Sequence, residues 1–381
     1  MQKECFITNK EVYDIKFGDI SYKYHLYFEN FDNCFEELFT VEDIDSFFVI
    51  SDKNIGNLYG ENIVRQIRRK YKCELIIFEF TEKNKNFRNM EELIEKVLAK
   101  KATRQTCIIG LGGGICGNMS GMVAALLFRG IKFVHIPTSL MAVLDSVLSL
   151  KQAINSSFGK NLIGIFHPPE MVITNIAFLK SLPKKEVISG ICEVIKNALA
   201  ILHDCIDKLY ETLDSECNYT SQDYHYFIDM SIRAKMLVMK NDQYEKKDAL
   251  ILEYGHTIGH ALELYQPGAI THGEAIGLGM MCAAEISHML GYLSQEEVCL
   301  HKKLLEKAGA AIKIPKHIPI DSIISTIKFD NKRGYISGRN NAIHIVLLER
   351  IGKPVKTTNK ILREVPEAIV RQAINNIYEL N

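Results

Sequence analysis

The sequence predicts an α/β domain with a parallel sheet, followed by a mainly α-helical domain. The 381 residues exceed the roughly 250–300 at which a single hydrophobic core usually stops growing. Short apolar runs alternate with helical patterns through the first half, which is typical of a parallel sheet with crossover helices. After Pro183 the pattern changes to long helix-compatible stretches. We therefore expect two domains, at residues 1–182 and 183–381.

The predicted strands of the first domain are short and rich in β-branched or aromatic residues, as in strands that are buried on both faces. They are residues 47–51, 75–80, 106–111 and 133–137. Helical patterns lie between them, at residues 57–70 and 90–100. Open parallel sheets bind ligands at the carboxyl ends of their strands, so we expect a binding site where these runs end.

The second domain has four long helical patterns and one late apolar run. The predicted helices are residues 184–202, 224–239, 272–290 and 295–308, and the predicted strand is residues 342–348.

Composition narrows the class of protein. Lys plus Arg and Asp plus Glu are both 46, so net charge gives no reason to expect a nucleic acid or an anionic membrane as partner. The ten cysteines are scattered without CxxC pairs, which favours a reduced, cytoplasmic protein. No stretch reaches the about 18 apolar residues of a membrane span, and the N-terminus has no apolar signal core.

A glycine-rich segment, residues 112–118, directly follows a predicted strand and opens onto a helical pattern. Glycines permit close approach of a ligand to the backbone, and a helix N-terminus offers unpaired N–H groups to a pyrophosphate. The spacing is not GxGxxG and contains no Walker lysine. From the spacing alone, both a nucleotide site and an ordinary tight turn stay open.

Histidines and carboxylates in the second half have spacings suited to a metal. His256 and His260 lie four apart on one helix face and can meet one ion, and His272 and Glu274 follow closely. Such a pair is also common by chance. Glu193 and Lys196, three apart on a helix, are by themselves more typical of a solvated ion pair.

Five lysines lie beside polar, glycine-containing or apolar segments: Lys151, Lys160, Lys196, Lys235 and Lys332. Converging ammonium groups suit a phosphorylated substrate, although each lysine alone is more typical of a surface position.

Together these segments resemble the sugar phosphate cyclases, of which 3-dehydroquinate synthase is the best-known member. The match runs in order from about Asp52 to Lys332 and includes residues 112–118, 128–130, 136–139, 159–161, 193–196, 255–260 and 272–274, and Asp145 with Lys151. The resemblance implies a dehydroquinate synthase-like fold. Its N-terminal α/β domain has a Rossmann-like parallel sheet and binds NAD, its helical C-terminal domain binds one divalent metal (Zn or Co), and the active site lies in the cleft.

The resemblance also assigns residues. Glu193, His256 and His272 become the metal ligands, so that His260 faces the substrate phosphate or relays protons. NAD-binding positions are Asp52, Glu82, Lys85, Gly113, Gly114, Asn118, Thr138, Ser139, Lys160 and Ser181. Arg129 falls where the family sends an arginine into the neighbouring subunit's site, which implies a homodimer.

Two departures indicate the substrate. The 3-dehydroquinate synthases place an arginine for the substrate carboxylate where this chain has Ala249, and an asparagine where it has Glu253. A carboxylate would lose its bidentate partner there. The segments at residues 242–247, 252–256 and 330–335 resemble the 2-deoxy-scyllo-inosose synthases, which cyclise D-glucose 6-phosphate in 2-deoxystreptamine aminoglycoside antibiotic biosynthesis.

The implied reaction is a phosphate-eliminating carbon–oxygen lyase reaction: transient oxidation at C4 by NAD, loss of phosphate, re-reduction and an intramolecular aldol closure. The implied catalytic residues are Lys151, Glu253 and His260. Substrate-binding residues are Arg129, Asp145, Asn161, Lys196, Lys235 and Lys332. The alternatives are a 3-dehydroquinate synthase or another cyclase, a polyol dehydrogenase that uses NAD and a metal, and an inactive relative that acts as a binding subunit.

Overall fold

The computed structural model describes residues 10–28, 35–157, 159–265, 269–328, 342–357 and 360–378. The chain divides into two compact units, Met1–Leu182 and Pro183–Asn381.

The first unit is built on a seven-stranded sheet with strand order β1-β2-β9-β6-β5-β3-β4. Strands β1 and β2 are antiparallel, and the other pairs are parallel. Strands β7 and β8 form a separate antiparallel hairpin. The strands are β1 Lys10–Phe17, β2 Ile20–Tyr27, β3 Ser46–Ser51, β4 Lys72–Ile77, β5 Thr106–Gly112, β6 Phe133–Pro137, β7 Lys151–Ser156, β8 Gly159–Phe166 and β9 Met171–Asn175.

Helices cover the sheet of the first unit. They are α1 Lys53–Ile55, α2 Glu61–Ile67, α3 Phe87–Ala99, α4 Gly114–Leu126 and α5 Leu140–Leu144. Phe47 and Val49 of β3 belong to one core cluster, whereas Phe48 and Ile50 belong to another. Because alternate side chains point to opposite faces, this central strand is buried on both sides, which confirms the reading of its continuous apolar run.

Two predicted elements of this unit differ from the structure. The strand predicted at residues 75–80 is β4 Lys72–Ile77, because β4 is the edge strand and its exposed Lys72 breaks the apolar pattern. The helix predicted at residues 57–70 contains a π-helical turn, Gly56–Gly60, before α2. The sequence analysis also missed both hairpins and β9.

The second unit is mainly helical, as predicted. Its helices are α6 Lys184–Ala200, α7 Ile206–Thr212, α8 Ser221–Met239, α9 His256–Tyr265, α10 His272–Met289, α11 Gln295–Lys307, α12 Ile320–Ile327 and α13 Glu367–Ile377. Short strands complete it: β10 Ala342–Val346, β11 Leu348–Arg350, β12 Lys353–Pro354 and β13 Leu362–Pro366. The predicted strand at residues 342–348 is therefore two strands, β10 and β11. Within the described ranges, each helix is too short or too polar to traverse a lipid bilayer.

Helices α9 and α10 approach each other closely because glycines line their contact. A Cβ on Gly279 would lie 2.0 Å from the carbonyl oxygen of Gly255, and one on Gly259 would lie 2.9 Å from that of Ala275. Each helix begins with a histidine, His256 in α9 and His272 in α10. This close packing holds α9, which carries His256, against α10, which carries His272.

Candidate active site and metal centre

Glu193 and Lys196 form a buried ion pair in the middle of α6. Their side chains are 1% and 2% exposed, and Lys196 Nζ lies 2.5 Å from Glu193 Oε2 without hydrogen-bond geometry. A solvated pair is therefore the wrong reading of this spacing. Burying two charges is costly unless they compensate each other, so this pair belongs to a built site.

The second oxygen of Glu193 faces two imidazoles. Glu193 Oε1 lies 3.7 Å from His256 Nε2 and 3.8 Å from His272 Nε2. The ligand atoms of the three residues all lie within 4.8 Å of one another. Glu193 Oε1 is buried and accepts no hydrogen bond from the described residues. A buried carboxylate oxygen normally has a partner, and a carboxylate with two imidazoles is a donor set that Zn²⁺ and similar ions prefer. The three residues fit one divalent cation.

Both histidines direct Nε2 toward this point because Nδ1 is occupied elsewhere. His256 Nδ1 lies 3.2 Å from the carbonyl oxygen of Tyr254, and His272 Nδ1 lies 3.1 Å from Glu263 Oε2. Burial, and then the Lys196 ammonium, hold the pKa of His256 well below its usual range. A neutral ring whose Nδ1–H donates to a carbonyl offers the lone pair of Nε2, which is the form that binds a metal.

His260 is not part of this cluster, although its i,i+4 spacing from His256 suggests that both bind one ion. Among the described residues the cluster is Glu193, His256 and His272, and the His260 ring lies beside it, 5.2 Å from the His256 ring and 5.8 Å from the His272 ring between centroids. Glu274 is also outside the cluster, because its carboxylate accepts from the backbone and hydroxyl of Thr271 in a capping box.

Glu253 acts on this cluster from the end of a 3₁₀ segment, and not from the helix that its spacing from His256 suggests. It ends a 3₁₀ segment, Asp248–Glu253, and Gly255 with φ +82° breaks the chain before α9. Glu253 and His256 are thus not on one continuous helix face, as their separation of three suggests. The Glu253 carboxylate nevertheless acts electrostatically on His256, raising its pKa against the larger effect of burial.

The loop before Glu253 is organised by Asp242, which the sequence analysis gave no role. Its carboxylate accepts from the backbone N–H groups of Lys246, Lys247 and Ala249, at 2.9, 2.6 and 3.0 Å. Ala249 is fully buried. Lys235 on α8 is also buried. Lys332 lies outside the described residues, so its substrate-binding role stays a prediction.

In the first unit, two segments of the predicted nucleotide site meet where the strand order reverses. Strand β3 lies between β4 and β5, and the chain leaves β3 toward one side and returns as β5 on the other. Asp52 follows β3 and accepts from Ile55 N at 2.9 Å, while Gly113 follows β5 as the N-cap of α4. Such a switch point forms the crevice in which open α/β sheets bind ligands.

The other predicted positions around this crevice have local structural partners. Ser139 follows β6 and caps α5, accepting from Ala142 N at 3.3 Å, and Thr138 N donates to the carbonyl of Gly112. Asn118 accepts from Ala153 N at 3.2 Å and thereby links α4 to β7. These contacts fix the segments and leave the N-terminus of α4 as the element suited to a phosphate.

A polar network joins Glu82 and Lys85 to the β7–β8 hairpin. Lys85 Nζ donates to Asn161 Oδ1 at 2.5 Å, and Lys160 Nζ lies 3.3 Å from Glu82 Oε1. Asn155 is its centre: its amide donates to Glu82 Oε1 at 2.7 Å and accepts from Asn161 N at 2.9 Å. The sequence analysis missed Asn155, because no motif marks it in the short polar strand β7.

Four further predicted residues have less distinctive surroundings. Ser181 donates to the carbonyl of Phe178 at 3.3 Å, and Asp145 and Lys151 are half-buried. Arg129 is exposed and has φ +72°. Their roles in binding and catalysis stay predictions.

Most of the chain matches one protein family. The family described as 3-dehydroquinate synthase, N-terminal, matches residues 75–189, and 3-dehydroquinate synthase, C-terminal, matches residues 190–333. The chain is 41% identical to a 2-deoxy-scyllo-inosose synthase of Micromonospora echinospora, over 96% of this chain and 91% of the relative. It is 40% identical to that of Streptomyces kanamyceticus, over 97% and 95% of the two chains.

A solved structure gives the same result. A 2-deoxy-scyllo-inosose synthase complexed with carbaglucose-6-phosphate, NAD⁺ and Co²⁺ is similar with a TM-score of 0.90 and 35% identity, covering 96% of this chain and 100% of that one. The full-length identity, the two family matches and the common fold agree with the seven-stranded sheet and the helical unit described above. The chain belongs to the dehydroquinate synthase-like family of sugar phosphate cyclases and, within it, to the 2-deoxy-scyllo-inosose synthases.

Proposed function

We propose that this enzyme converts D-glucose 6-phosphate into 2-deoxy-scyllo-inosose and inorganic phosphate, in 2-deoxystreptamine aminoglycoside antibiotic biosynthesis. The observation that carries the proposal is the buried cluster of Glu193, His256 and His272 in a chain similar to 2-deoxy-scyllo-inosose synthases along nearly its whole length. The solved relative that holds a carbaglucose 6-phosphate, NAD⁺ and Co²⁺ supports the same substrate class and the same cofactors.

Ala249 supports a substrate without a carboxylate. Where a 3-dehydroquinate synthase is expected to have an arginine, this chain has Ala249. Its side chain is fully buried, and its backbone N–H donates to the Asp242 carboxylate. An arginine could not enter this position without displacing the loop, because buried sites do not accept several extra atoms without strain. The neutral end of glucose 6-phosphate needs no cation there.

The residues that would hold the cofactors lie in separate units. Glu193, His256 and His272 would hold the metal, and Asp52 with the N-terminus of α4 would hold NAD⁺. When bound, NAD⁺ supplies reversible oxidation at C4 of the sugar, and the metal supplies Lewis-acid polarisation of adjacent oxygens.

Proton transfers and phosphate binding fall to the side chains of this chain. We assign Lys151 to the proton of the C4 hydroxyl, and Glu253 and His260 to proton transfer during phosphate loss and ring closure. Lys196 keeps one oxygen of Glu193 compensated, so that the other stays available to a cation. We assign the binding of the substrate's phosphate and hydroxyl groups to Asp145, Lys160, Asn161, Lys196, Lys235 and Lys332.

We propose a cytoplasmic homodimer in which Arg129 reaches the partner's site. Phe128 and Arg129 both have positive φ, 51° and 72°, a conformation that costs non-glycine residues energy and often marks a functional turn. Strand β8 also exposes neighbouring apolar side chains, Leu162, Ile163, Ile165 and Phe166. Exposed apolar side chains in this number on one strand are typical of an interface.

The test is product analysis with glucose 6-phosphate, NAD⁺ and Co²⁺ or Zn²⁺. We expect a cyclised ketone and phosphate in amounts far above the NAD⁺ added, without accumulation of NADH, because the hydride returns to the substrate. His272→Ala should abolish turnover and tight metal binding, whereas the exposed His317→Ala should not.

Two results would replace the proposal. A preference for the carboxylate-bearing heptulosonate phosphate would make the protein a 3-dehydroquinate synthase. Stoichiometric NADH without phosphate release would make it a dehydrogenase.

A further inference from the structure

The two histidines of the metal cluster have different partners at Nδ1. His256 contacts a main-chain carbonyl, that of Tyr254, at 3.2 Å. His272 instead contacts a carboxylate, Glu263 Oε2, at 3.1 Å. Only the second contact comes from a side chain that substitution can remove.

Helix α9 places Glu263 on the face that carries the cluster. His256, His260 and Glu263 are separated by four and three residues, so they follow one another along a single helical face. Glu263 is only 12% exposed in its side chain, and His272 is 28% exposed. A long, flexible carboxylate that is this well buried is held in one place by its surroundings.

The contact is not needed to cap α10. Thr271 and Glu274 already form a complete capping box at the start of that helix. The hydrogen bond from His272 to Glu263 therefore orients the imidazole, not the backbone that carries it.

A carboxylate at Nδ1 decides which nitrogen carries the proton. An ionised carboxylate only accepts hydrogen bonds, so His272 Nδ1 must be the donor and its Nε2 keeps the lone pair. Nε2 is the atom that faces Glu193 Oε1, at 3.8 Å. Carboxylate–histidine pairs of this kind fix the tautomer and raise the basicity of a metal ligand.

We propose that Glu263 is a positioning residue of the metal centre, which orients His272 and strengthens Nε2 as a ligand. The inference rests on the proposed function in one respect, that the cluster holds a resident divalent metal. It adds a residue outside the ligand set and outside the substrate contacts assigned above.

The test measures metal affinity without substrate or NAD⁺. Metal-free wild type, Glu263→Leu, Glu263→Gln and Glu306→Gln are titrated with Co²⁺ and Zn²⁺ against a competing chelator. Glu306 is a half-exposed glutamate on α11, paired with Lys302, and serves as the matched control for loss of one charge.

We expect Glu263→Leu to bind metal about 10–100-fold more weakly, the usual cost of losing such a partner. Glu263→Gln should lose less, because its amide oxygen still accepts from Nδ1–H without the negative charge. Glu306→Gln should match the wild type. The visible spectrum of bound Co²⁺ should change in Glu263→Leu, since the spectrum reports ligand geometry.

The inference is overturned if both Glu263 variants bind metal within twofold of the wild type. Should Glu263→Leu fail to fold by circular dichroism, the comparison of Glu263→Gln with Glu306→Gln decides, and equal affinities again overturn it. Equal metal binding by wild type and His272→Ala would remove the metal centre itself, and with it both this inference and the metal part of the proposed function.

Discussion

Glu193 shows how one side chain can have two separate partners. Its Oε2 faces the Lys196 ammonium, and its Oε1 faces the imidazoles of His256 and His272. The ammonium compensates the buried charge, while the imidazoles supply the remaining donors for a cation.

Glu253 gives the first prediction at this scale. It is half-buried at the end of its 3₁₀ segment and acts electrostatically on His256. If it moves a proton, Glu253→Gln should lower kcat by about 10²- to 10⁴-fold, the usual contribution of a positioned acid or base. Metal and NAD⁺ affinity, measured by titration, should be retained.

Glu211→Gln, an exposed position on α7, is the control for this experiment. A Glu253→Gln enzyme with near wild-type turnover of glucose 6-phosphate would exclude a proton-transfer role. Loss of metal binding in parallel with kcat would make Glu253 part of the metal centre instead.

At the scale of elements, the contact between α9 and α10 depends on close approach of their two backbones. The Cβ of any residue at position 279 would lie 2.0 Å from the Gly255 carbonyl oxygen. Position 277, two residues earlier on α10, faces the side chain of Leu305 instead, with 3.1 Å to its Cδ2. A side chain can shift, whereas a carbonyl in a packed turn cannot.

We therefore expect opposite outcomes for two alanine substitutions in one helix. Gly279→Ala should destabilise the protein by at least about 1–3 kcal/mol and weaken metal binding, since it pushes the start of α9, which carries His256, away from α10. Gly277→Ala should stay within about 1 kcal/mol of the wild type, because helical Gly→Ala gains of about 0.5–1 kcal/mol offset a small repacking. Urea unfolding and metal titration measure both, and equal effects of the two substitutions would contradict this account.

At the scale of the whole molecule, each unit buries a neutral histidine that has no part in the proposed function. Burial lowers the pKa of His135 to about 3 in the first unit, where its Nε2 makes no hydrogen bond to any residue that the structure describes. Burial lowers the pKa of His301 to about 4 in the second unit, against the opposing effects of its hydrogen bond to the Glu297 carbonyl and of the Glu297 carboxylate charge.

These shifts predict that both units lose stability in acid. The unfolded histidines titrate near 6.5 and bind protons that the folded ones reject, so the stability present above about pH 6.5 falls as the pH approaches 4. Each histidine contributes a slope of at most about 1.4 kcal/mol per pH unit. Urea midpoints at pH 7.5 and 5, with chelator present, should differ less in His135→Leu than in the wild type. The exposed His317→Leu is the control, and a His135→Leu protein with an unchanged pH difference would refute the assignment.

The sequence by itself determined the layout of strands and helices and the identity of most candidate site residues. Alternation of apolar runs with helical patterns is local information, and it predicted β3, β5 and β6 nearly to the residue. Prediction from the sequence pattern was least accurate for strands whose burial depends on the elements that pack against them. Edge strand β4 is only partly buried and hairpin strand β8 is exposed over most of its length, so burial imposes no regular hydrophobic pattern on either strand.

Only the tertiary structure decided which of the candidates meet. Spacing alone paired His256 with His260, whereas the family resemblance grouped Glu193, His256 and His272, and these are the three residues that packing brings together. The i,i+3 pair Glu193–Lys196 is buried and not solvated. Glu263 and Asn155 have no motif of their own, and their roles follow from the hydrogen bonds they make across the chain. A sequence states which chemical groups exist and on which face of an element they lie. Burial and the distance between two atoms are properties of the packed chain, and these decide whether a glutamate is a surface charge or part of a metal centre.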